Sequence, residues 1–415
     1  MFPDSETTVN PTANIVFEWL VFAEDWGRHP SSSQHIFSAI LAQNETVYWV
    51  NSIGLRRPKL TDGKRIVEKL KQIIQPTTNT YNQENEETPQ LVPDEVIAPI
   101  AISWPGNELV NTINRNLLSN QVNNKIVNEN DHSKWRVLWL SLPTARCITN
   151  AFAQNCIVYY AGDDFAALAG VDHEAVTAEE NKLVVQADLI LAASTKIAAK
   201  FPAHKTHVIN HGVDCDLFTQ ECEKPNDFPK GNFTVGYYGS ITEWLDFELI
   251  EYLALQRKDI NFVFIGRINT DKANTVFSLA NVYHFADMPH HKLIEYASNW
   301  QVSLFPFLLN EQIIACDPLK LREYLAIGKP IIGTRFPALE SFSDLAFIAD
   351  DKEQGLAQLL MIEQLSMEEK QQLTCRSRHS IEDSTWQQRA EQVKTLITHT
   401  IEQKLQEEGV DYALS

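Results

Sequence analysis

Short apolar runs that end at glycine and alternate with helical patterns constrain this chain more than any other feature. The second half carries them in close succession. Phe233-Thr-Val-Gly-Tyr-Tyr-Gly239 reads as a strand entering a Gly turn, Leu245–Leu255 as a helix, and Asn261-Phe-Val-Phe-Ile-Gly266 as a second strand. Asn281–Phe285, Gln301–Phe307, Ile331–Gly333 and Leu345–Ala349 continue the series, with one helix through Leu293 and Tyr296 and another through Lys320. Continuous Val/Ile/Phe runs suit strands buried on both faces of a parallel sheet. Their alternation with helices signals βαβ units. The expected product is a doubly wound α/β domain that binds ligands at the carboxyl ends of its strands.

The first half follows the same logic with longer interruptions. Its candidate strands are Ile15–Leu20, Thr46–Val50, Val96–Ile102, Arg136–Leu140, Cys156–Tyr160, Leu189–Ala192 and His207–Ile209. Gln75–Gln90 is polar and reads as a surface loop, as does the Asn-rich stretch Gln121–Lys134. A chain of 415 residues exceeds one ordinary core, so two domains are expected. We place an acceptor-binding Rossmann-like domain at 12–220, a Pro-containing linker at 221–231, and a nucleotide-binding Rossmann-like domain at 232–385. C-terminal helices at 386–410, capped by Ser384 or Thr385, would pack back on the first domain. Two such domains facing each other leave a cleft, the default active site.

Charge and composition exclude several classes. The formal net charge is −19, which argues against a nucleic-acid binder. An anionic substrate must then be caught by a local basic site. The acidic N-terminus does not read as a signal peptide, and no run of about 18 apolar residues suggests a spanning helix. The six cysteines show no metal spacing, so reduced thiols, no metal and a cytoplasmic location are expected. A GxGxxG is lacking after the first strand, which leaves a redox Rossmann enzyme unsupported.

The stretch Asp317-Pro-Leu-Lys-Leu-Arg-Glu-Tyr-Leu-Ala-Ile-Gly-Lys-Pro-Ile-Ile-Gly-Thr334 holds the clearest candidate site. Pro318 suits a first helical position and Gly328 a helix stop. Lys320, in the first turn, sits where a helix N-terminus favours phosphate. Glu323, one turn on, can accept hydrogen bonds from sugar hydroxyls. A solvated face with an i,i+3 pair is the plain alternative. Gly236 and Gly239 are read as bracketing a strand-end turn, where missing side chains let backbone approach a ligand.

In the first half, Asp163 and Asp164 follow a strand. Such carboxylates can supply a general base and its orienter, although one of them suits a helix N-cap. His211 in Asn-His-Gly-Val-Asp214 is a further candidate at a strand end, against a structural role. Arg28 and His29, after the first strand, are candidates for acceptor contacts. Trp26, Trp49 and Trp104 would line an acceptor pocket or pack in the core. Leu55–Gln72 holds seven Lys/Arg against Asp62 and Glu68. Its Arg56, Arg57, Lys64 and Arg65 would meet an anionic membrane or a lipid-phosphate acceptor, or line an ordinary surface helix.

Together these stretches resemble GT-B glycosyltransferases, especially the bacterial enzymes of glycosyltransferase family four and those of cell-surface polysaccharide synthesis. PLKLREYLAIGKPIIGT is similar to their donor-site helix. GYYGSITEWLDFELI from Gly236, FVFIGR from Phe262, and His-Gly-Val-Asp214 with Phe218 also resemble the group, as do Asp25-Trp-Gly-Arg-His-Pro30, Tyr48–Arg57 and Val158–Phe165. The likeness spans about residues 14 to 395. It implies a transferase that takes a nucleotide-sugar as substrate; the residues themselves add the expectation that it is cytoplasmic, needs no metal or cofactor, and touches the membrane face peripherally through the basic stretch. The acceptor would be a glycan or lipid-linked hydroxyl. Lys320 and Arg267 would contact the donor diphosphate and Glu323 the ribose. Many such enzymes carry a second glutamate eight residues before the one matching Glu323; here that position is Ala315, with Glu311 and Asp317 nearby. An epimerase or hydrolase of the same fold, or a non-catalytic nucleotide-sugar-binding protein, are the alternatives.

Overall fold

A computed structural model describes residues 16–27, 31–55, 91–126, 134–166, 172–231, 233–407 and 409. It divides into two compact units. One comprises residues 1–192, 201–207 and 393–415; the other comprises 193–200 and 208–392.

Unit 1 is built on a seven-stranded sheet of β1 (Val16–Phe22), β2 (Thr46–Val50), β3 (Glu95–Ile97), β4 (Lys134–Leu140), β5 (Cys156–Ala161), β6 (Leu189–Ala192) and β7 (Thr206–Val208). The strand order is β3-β2-β1-β4-β5-β6-β7, and β1 pairs in parallel with both β2 and β4. Chain order therefore reverses between β1 and β4, the crevice at which doubly wound sheets bind ligands. The core beside it is aromatic. Phe37, from the helix Ser32–Leu41, meets Trp19, Trp49 and Trp139 edge-on at 5.3, 5.7 and 5.2 Å. Trp26 and Trp49 are 6% and 0% exposed, so both are packing residues.

The Val96–Ile102 strand is shorter than expected, ending at Ile97. Pro99 has no N–H to give to a ladder. The chain beyond it is held by side chains of the helix Glu108–Asn123 instead. Asn114 exchanges two hydrogen bonds with the Ile102 backbone at 2.8 and 2.9 Å, and Gln121 does the same with Ile100 at 2.8 and 3.0 Å. Gln121 thus lies in a helix, where a loop was expected. The Gln75–Gln90 loop falls outside the described residues.

Unit 2 holds a six-stranded sheet of β8 (Thr234–Tyr238), β9 (Asn261–Ile265), β10 (Val282–Phe285), β11 (Val302–Phe305), β12 (Ile331–Thr334) and β13 (Ala346–Ala349). Its order, β10-β9-β8-β11-β12-β13, reverses between β8 and β11. All its strand pairings are parallel. β8, β9 and β11 are buried at every position, which explains their unbroken apolar runs. Helix Phe247–Gln256 starts where Asp246 accepts from Leu249 N at 2.9 Å, an N-cap. Helix Leu319–Ile327 stops at Gly328 with φ 76°, the left-handed turn that glycine accepts without strain.

The 221–231 stretch, read as a linker, is tied into unit 2. Tyr296 Oη donates to both Asp227 carboxylate oxygens at 2.9 Å, and Asn261 Nδ2 donates to Lys230 O at 3.1 Å. Helix Trp386–Glu407 begins under Thr385, whose Oγ1 accepts from Gln388 N at 3.2 Å. Its residues from Val393 onward count with unit 1, where Lys394 pairs with Glu45 at 2.5 Å and Lys404 with Asp188 at 2.9 Å.

Candidate functional site

The switch point of unit 2 is built around one ammonium group. Lys320 lies in the first turn of helix Leu319–Ile327, and its Nζ donates to the Tyr237 hydroxyl at 3.0 Å. The same Nζ stands 4.5 Å from the Tyr237 ring centroid and 5.6 Å from that of Phe307, cation–π distances. Tyr237 lies next to the end of β8 and Phe307 follows β11, so the cation sits where the strand order reverses. Glycine makes the room. A Cβ on Gly239 would lie 2.3 Å from Lys320 Nζ, and one on Gly266 would lie 2.1 Å from the Gly239 carbonyl oxygen. Both have positive φ, 128° and 144°, so substitution at either is strained by backbone as well as by space. Pro318 is the cap residue preceding the helix, one position earlier than expected, and no side chain caps that end. The first helical amides there have no side-chain acceptor, the condition under which an anion is favoured.

Gly236 has a different reason. It lies inside β8, and a Cβ there would sit 1.8 Å from the Trp300 ring. It does not bracket a turn; it makes way for a buried tryptophan. Arg267 is also set apart. Its side chain is 61% exposed and pairs with Asp287 at 2.8 Å, a surface ion pair of small worth.

Glu323 is buried, 3% exposed. Its Oε2 accepts from the Tyr238 hydroxyl at 2.6 Å, and its Oε1 lies 2.6 Å from His290 Nε2. Where Glu323 is ionised its carboxylate only accepts, and His290 Nε2 is then the donor. Burial pulls the His290 pKa down, but the charge and hydrogen bond of Glu323, with help from Asp214, outweigh it and raise the group above the usual histidine range. Burial, then the Glu323 charge, also push the Tyr238 phenol up. Neither His290 nor Tyr238 figured in the sequence expectation; the paired His290-His291 after β10 was the available signal.

The surroundings of Ala315 are settled by other contacts. Its carbonyl accepts from Ser194 Oγ at 3.2 Å. Asp317 is engaged by Arg322 Nη1 at 2.8 Å and Asn210 Nδ2 at 3.3 Å, while Glu311 is exposed in the first turn of helix Glu311–Ala315. His211 is partly buried beside this pair. Burial lowers its pKa to about 4 despite the Asp317 charge, so its imidazole is neutral at pH 7. His211 belongs to unit 2, whereas Asp163 and Asp164 belong to unit 1.

In unit 1 the two aspartates follow β5. Asp164 accepts from Ala166 N at 3.1 Å, a local turn contact. Asp163 reaches solvent, yet surrounding protein strips water from its carboxylate and the Asp164 charge repels it, so its pKa is raised. Such a shift makes a carboxylate a better base near neutrality. A third carboxylate belongs with them. Glu24 follows β1 at the switch point, accepts from Ser31 Oγ, and has a pKa raised by burial, with a contribution from the Asp163 charge. Its loop is held firmly. Trp49 Nε1 donates to Glu24 O at 2.9 Å, Ser52 N to Asp25 Oδ1 at 3.2 Å, and Gly27 N to Gln34 Oε1 at 2.9 Å. Ser33 Oγ and Ser141 Oγ, 3.0 Å apart, join the start of the following helix to the end of β4. The Glu24-Asp25 pair at a strand end repeats the Asp163-Asp164 pattern, and that repetition was legible.

Trp104 is 46% exposed, and Leu109, Ile113 and Leu117 are exposed at four-residue spacing on helix Glu108–Asn123. Arg28, His29, Arg56, Arg57, Lys64 and Arg65 lie outside the described residues. Among the described residues no cluster of three or more His, Cys, Asp or Glu could hold a metal ion, and no helix is long and apolar enough to cross a membrane.

No family model matches the chain. A protein of Bacillus subtilis strain 168, named "Putative teichuronic acid biosynthesis glycosyltransferase TuaH", is 25% identical over 221 residues. That match covers 48% of this chain and 56% of the relative, so the chain matches little more than half of that protein. Among solved structures, HepE of Anabaena, in complex with UDP and glucose, matches with a TM-score of 0.60 at 12% identity, over 92% of this chain and 99% of that one. A trehalose 6-phosphate synthase of Burkholderia multivorans matches with a TM-score of 0.63 at 11% identity, over 94% and 100%. The two parallel-sheet α/β units are those of the GT-B fold.

Proposed function

We propose that this protein is a glycosyltransferase that moves a sugar from a nucleotide-sugar to a hydroxyl of a growing surface glycan or lipid-linked acceptor. One observation carries the reading: the Lys320 ammonium, seated against Gly239 at the β8/β11 switch point beside an uncapped helix N-terminus. A single cation with unshielded helix amides suits a diphosphate and stabilises the charge left on it as the sugar departs. Unit 2 would hold the donor through Lys320, Gly239 and the Glu323 network. UDP in the HepE complex makes uridine the first base to try, and the polysaccharide role rests on the Bacillus relative.

Unit 1 would hold the acceptor. Asp163, with its raised pKa, is the candidate base for the acceptor hydroxyl, and Glu24 is its neighbour in charge. The exposed Leu109, Ile113, Leu117 and Trp104 support an acceptor with an apolar tail and a peripheral membrane contact. The reading calls for no cofactor beyond the donor. Ala315 favours one rival, a nucleotide-sugar binder without turnover. The test is a thermal-shift and turnover screen of UDP- and GDP-sugars against glycan and lipid-phosphate acceptors. A true donor raises the melting temperature by mass action. Stabilisation with acceptor-dependent release of nucleoside diphosphate is the expected result; stabilisation without release selects the rival.

A further inference from the structure

Just beyond β11 the chain exposes two leucines in succession beside the cation. Phe307, whose ring centroid lies 5.6 Å from Lys320 Nζ, is followed by Leu308 and Leu309, which are 40% and 62% exposed. Their backbone is pinned. Leu245 and Phe307 form an antiparallel bridge, Leu308 N donates to Trp244 O at 2.7 Å, and Asp246 N donates to Pro306 O at 2.7 Å. Asn310, the next residue, caps helix Glu311–Ala315 by accepting from Ile313 N at 2.9 Å. The loop after β8 and the loop after β11 thus pair with each other, and this short ladder holds both leucines at the switch point. Single exposed leucines are ordinary. Two in succession on a fixed backbone, at the strand ends where doubly wound sheets bind ligands, call for an occupant.

We propose that Leu308 and Leu309 select the donor's sugar, favouring a neutral 6-deoxyhexose, whose methyl group docks on the pair, and turning away uronic acids. The inference rests on the donor reading of unit 2 and adds to it the class of sugar. A diphosphate on Lys320 carries a nucleoside at one end and a sugar at the other. Leucine offers neither the hydrogen-bond partners nor the aromatic face by which a base is held. A sugar hydroxyl docked there would lose its water and gain no partner, which is costly. A methyl group in the same place loses nothing and buries apolar surface. Charge narrows the class further. Glu243 directly precedes Trp244, Glu311 directly follows Asn310, and both are exposed. The carboxylate of a uronic acid would therefore meet like charge as well as leucine.

The test compares the affinities of UDP, UDP-6-deoxyglucose, UDP-glucose and UDP-glucuronic acid for wild type and for the double variant Leu308→Asn, Leu309→Asn. Both positions are exposed, so the variant should fold, which circular dichroism verifies. Wild type should hold UDP-6-deoxyglucose about ten-fold more tightly than UDP-glucose, the scale on which an apolar pocket discriminates one small group. UDP-glucuronic acid should bind weakest. The variant should lose the preference for the 6-deoxy sugar and keep its affinity for UDP itself. Equal binding of the 6-deoxy and glucose donors by wild type overturns the inference and leaves the diphosphate site standing, as does a variant that keeps the full preference. A variant that loses as much affinity for UDP as for the sugar nucleotides places the leucines on the nucleoside and overturns the inference too. Failure of wild type to bind any of the four removes the uridine donor reading, and the sugar selection falls with it.

Discussion

Units 1 and 2 share a strand order and differ in the sign of the charge at their switch points. Both sheets reverse beside their first strand, between β1 and β4 in one and between β8 and β11 in the other. Unit 2 places a lysine there, with glycines at two strand ends and a helix whose first amides lack a side-chain cap. Unit 1 places Glu24 at the equivalent strand end, within electrostatic reach of Asp163. One arrangement suits a phosphate; the other suits a hydroxyl that must lose a proton. The lesson is that the doubly wound scaffold fixes where a ligand can sit, while a few strand-end residues decide which ligand it is.

The strongest break of this comparison comes from the acidic side. Asp163→Asn should lower turnover by about 10²–10⁴-fold, the usual worth of a general base, with donor affinity unchanged in a UDP titration. Turnover in wild type should also fall as pH drops through the raised Asp163 pKa, since protonation removes the base; a flat acid limb in the pH profile would count against it.

Next comes the basic side. Lys320→Ala removes a charge-assisted hydrogen bond to phosphate, about 1.5–3 kcal/mol, and so should weaken UDP binding roughly ten- to hundred-fold. Gly266→Ala should destabilise unit 2 by about 1–3 kcal/mol, because its Cβ would meet the Gly239 carbonyl at 2.1 Å; chemical denaturation reads this directly. Smaller still is Arg267→Ala. An exposed pair with Asp287 contributes about 0–1 kcal/mol, so UDP affinity should change by less than about five-fold. A loss as large as that of Lys320→Ala would show that Arg267 leaves Asp287 to meet the phosphates. Smallest is the triple change of Leu109, Ile113 and Leu117 to Ser. It should reduce pelleting with neutral lipid vesicles and leave UDP binding unaltered.

Much of the architecture was legible because buried parallel strands announce themselves. Asn261–Ile265 and Thr46–Val50 are short, apolar and bounded by polar or glycine residues, and both emerge as strands. The place of Lys320 in the first turn of a Pro- and Gly-bounded helix was legible for a local reason. What stayed hidden depends on partners distant in sequence. Gly236 is glycine because Trp300 packs on it, 64 residues later (300 − 236). Glu323 looked like an outward-facing acceptor, but Tyr238 and His290 enclose it from two other elements. Glu24 was passed over beside the conspicuous Asp25-Trp-Gly run although its pairing with Asp25 repeats Asp163-Asp164; what the sequence did not show is that β1 ends at the switch point of the sheet. Trp26 and Trp49 were pocket candidates against the commoner core use of Trp, and the Phe37 cluster places Trp49 in the core with Trp26 against it.

The central claim is that unit 2 carries a nucleoside diphosphate site assembled on Lys320. Isothermal titration of UDP into wild type and Lys320→Ala, with circular dichroism to verify that both are folded, tests it most directly. Binding by wild type and a roughly ten- to hundred-fold weaker affinity in the variant is the predicted result. Equal affinities in two folded proteins would contradict it.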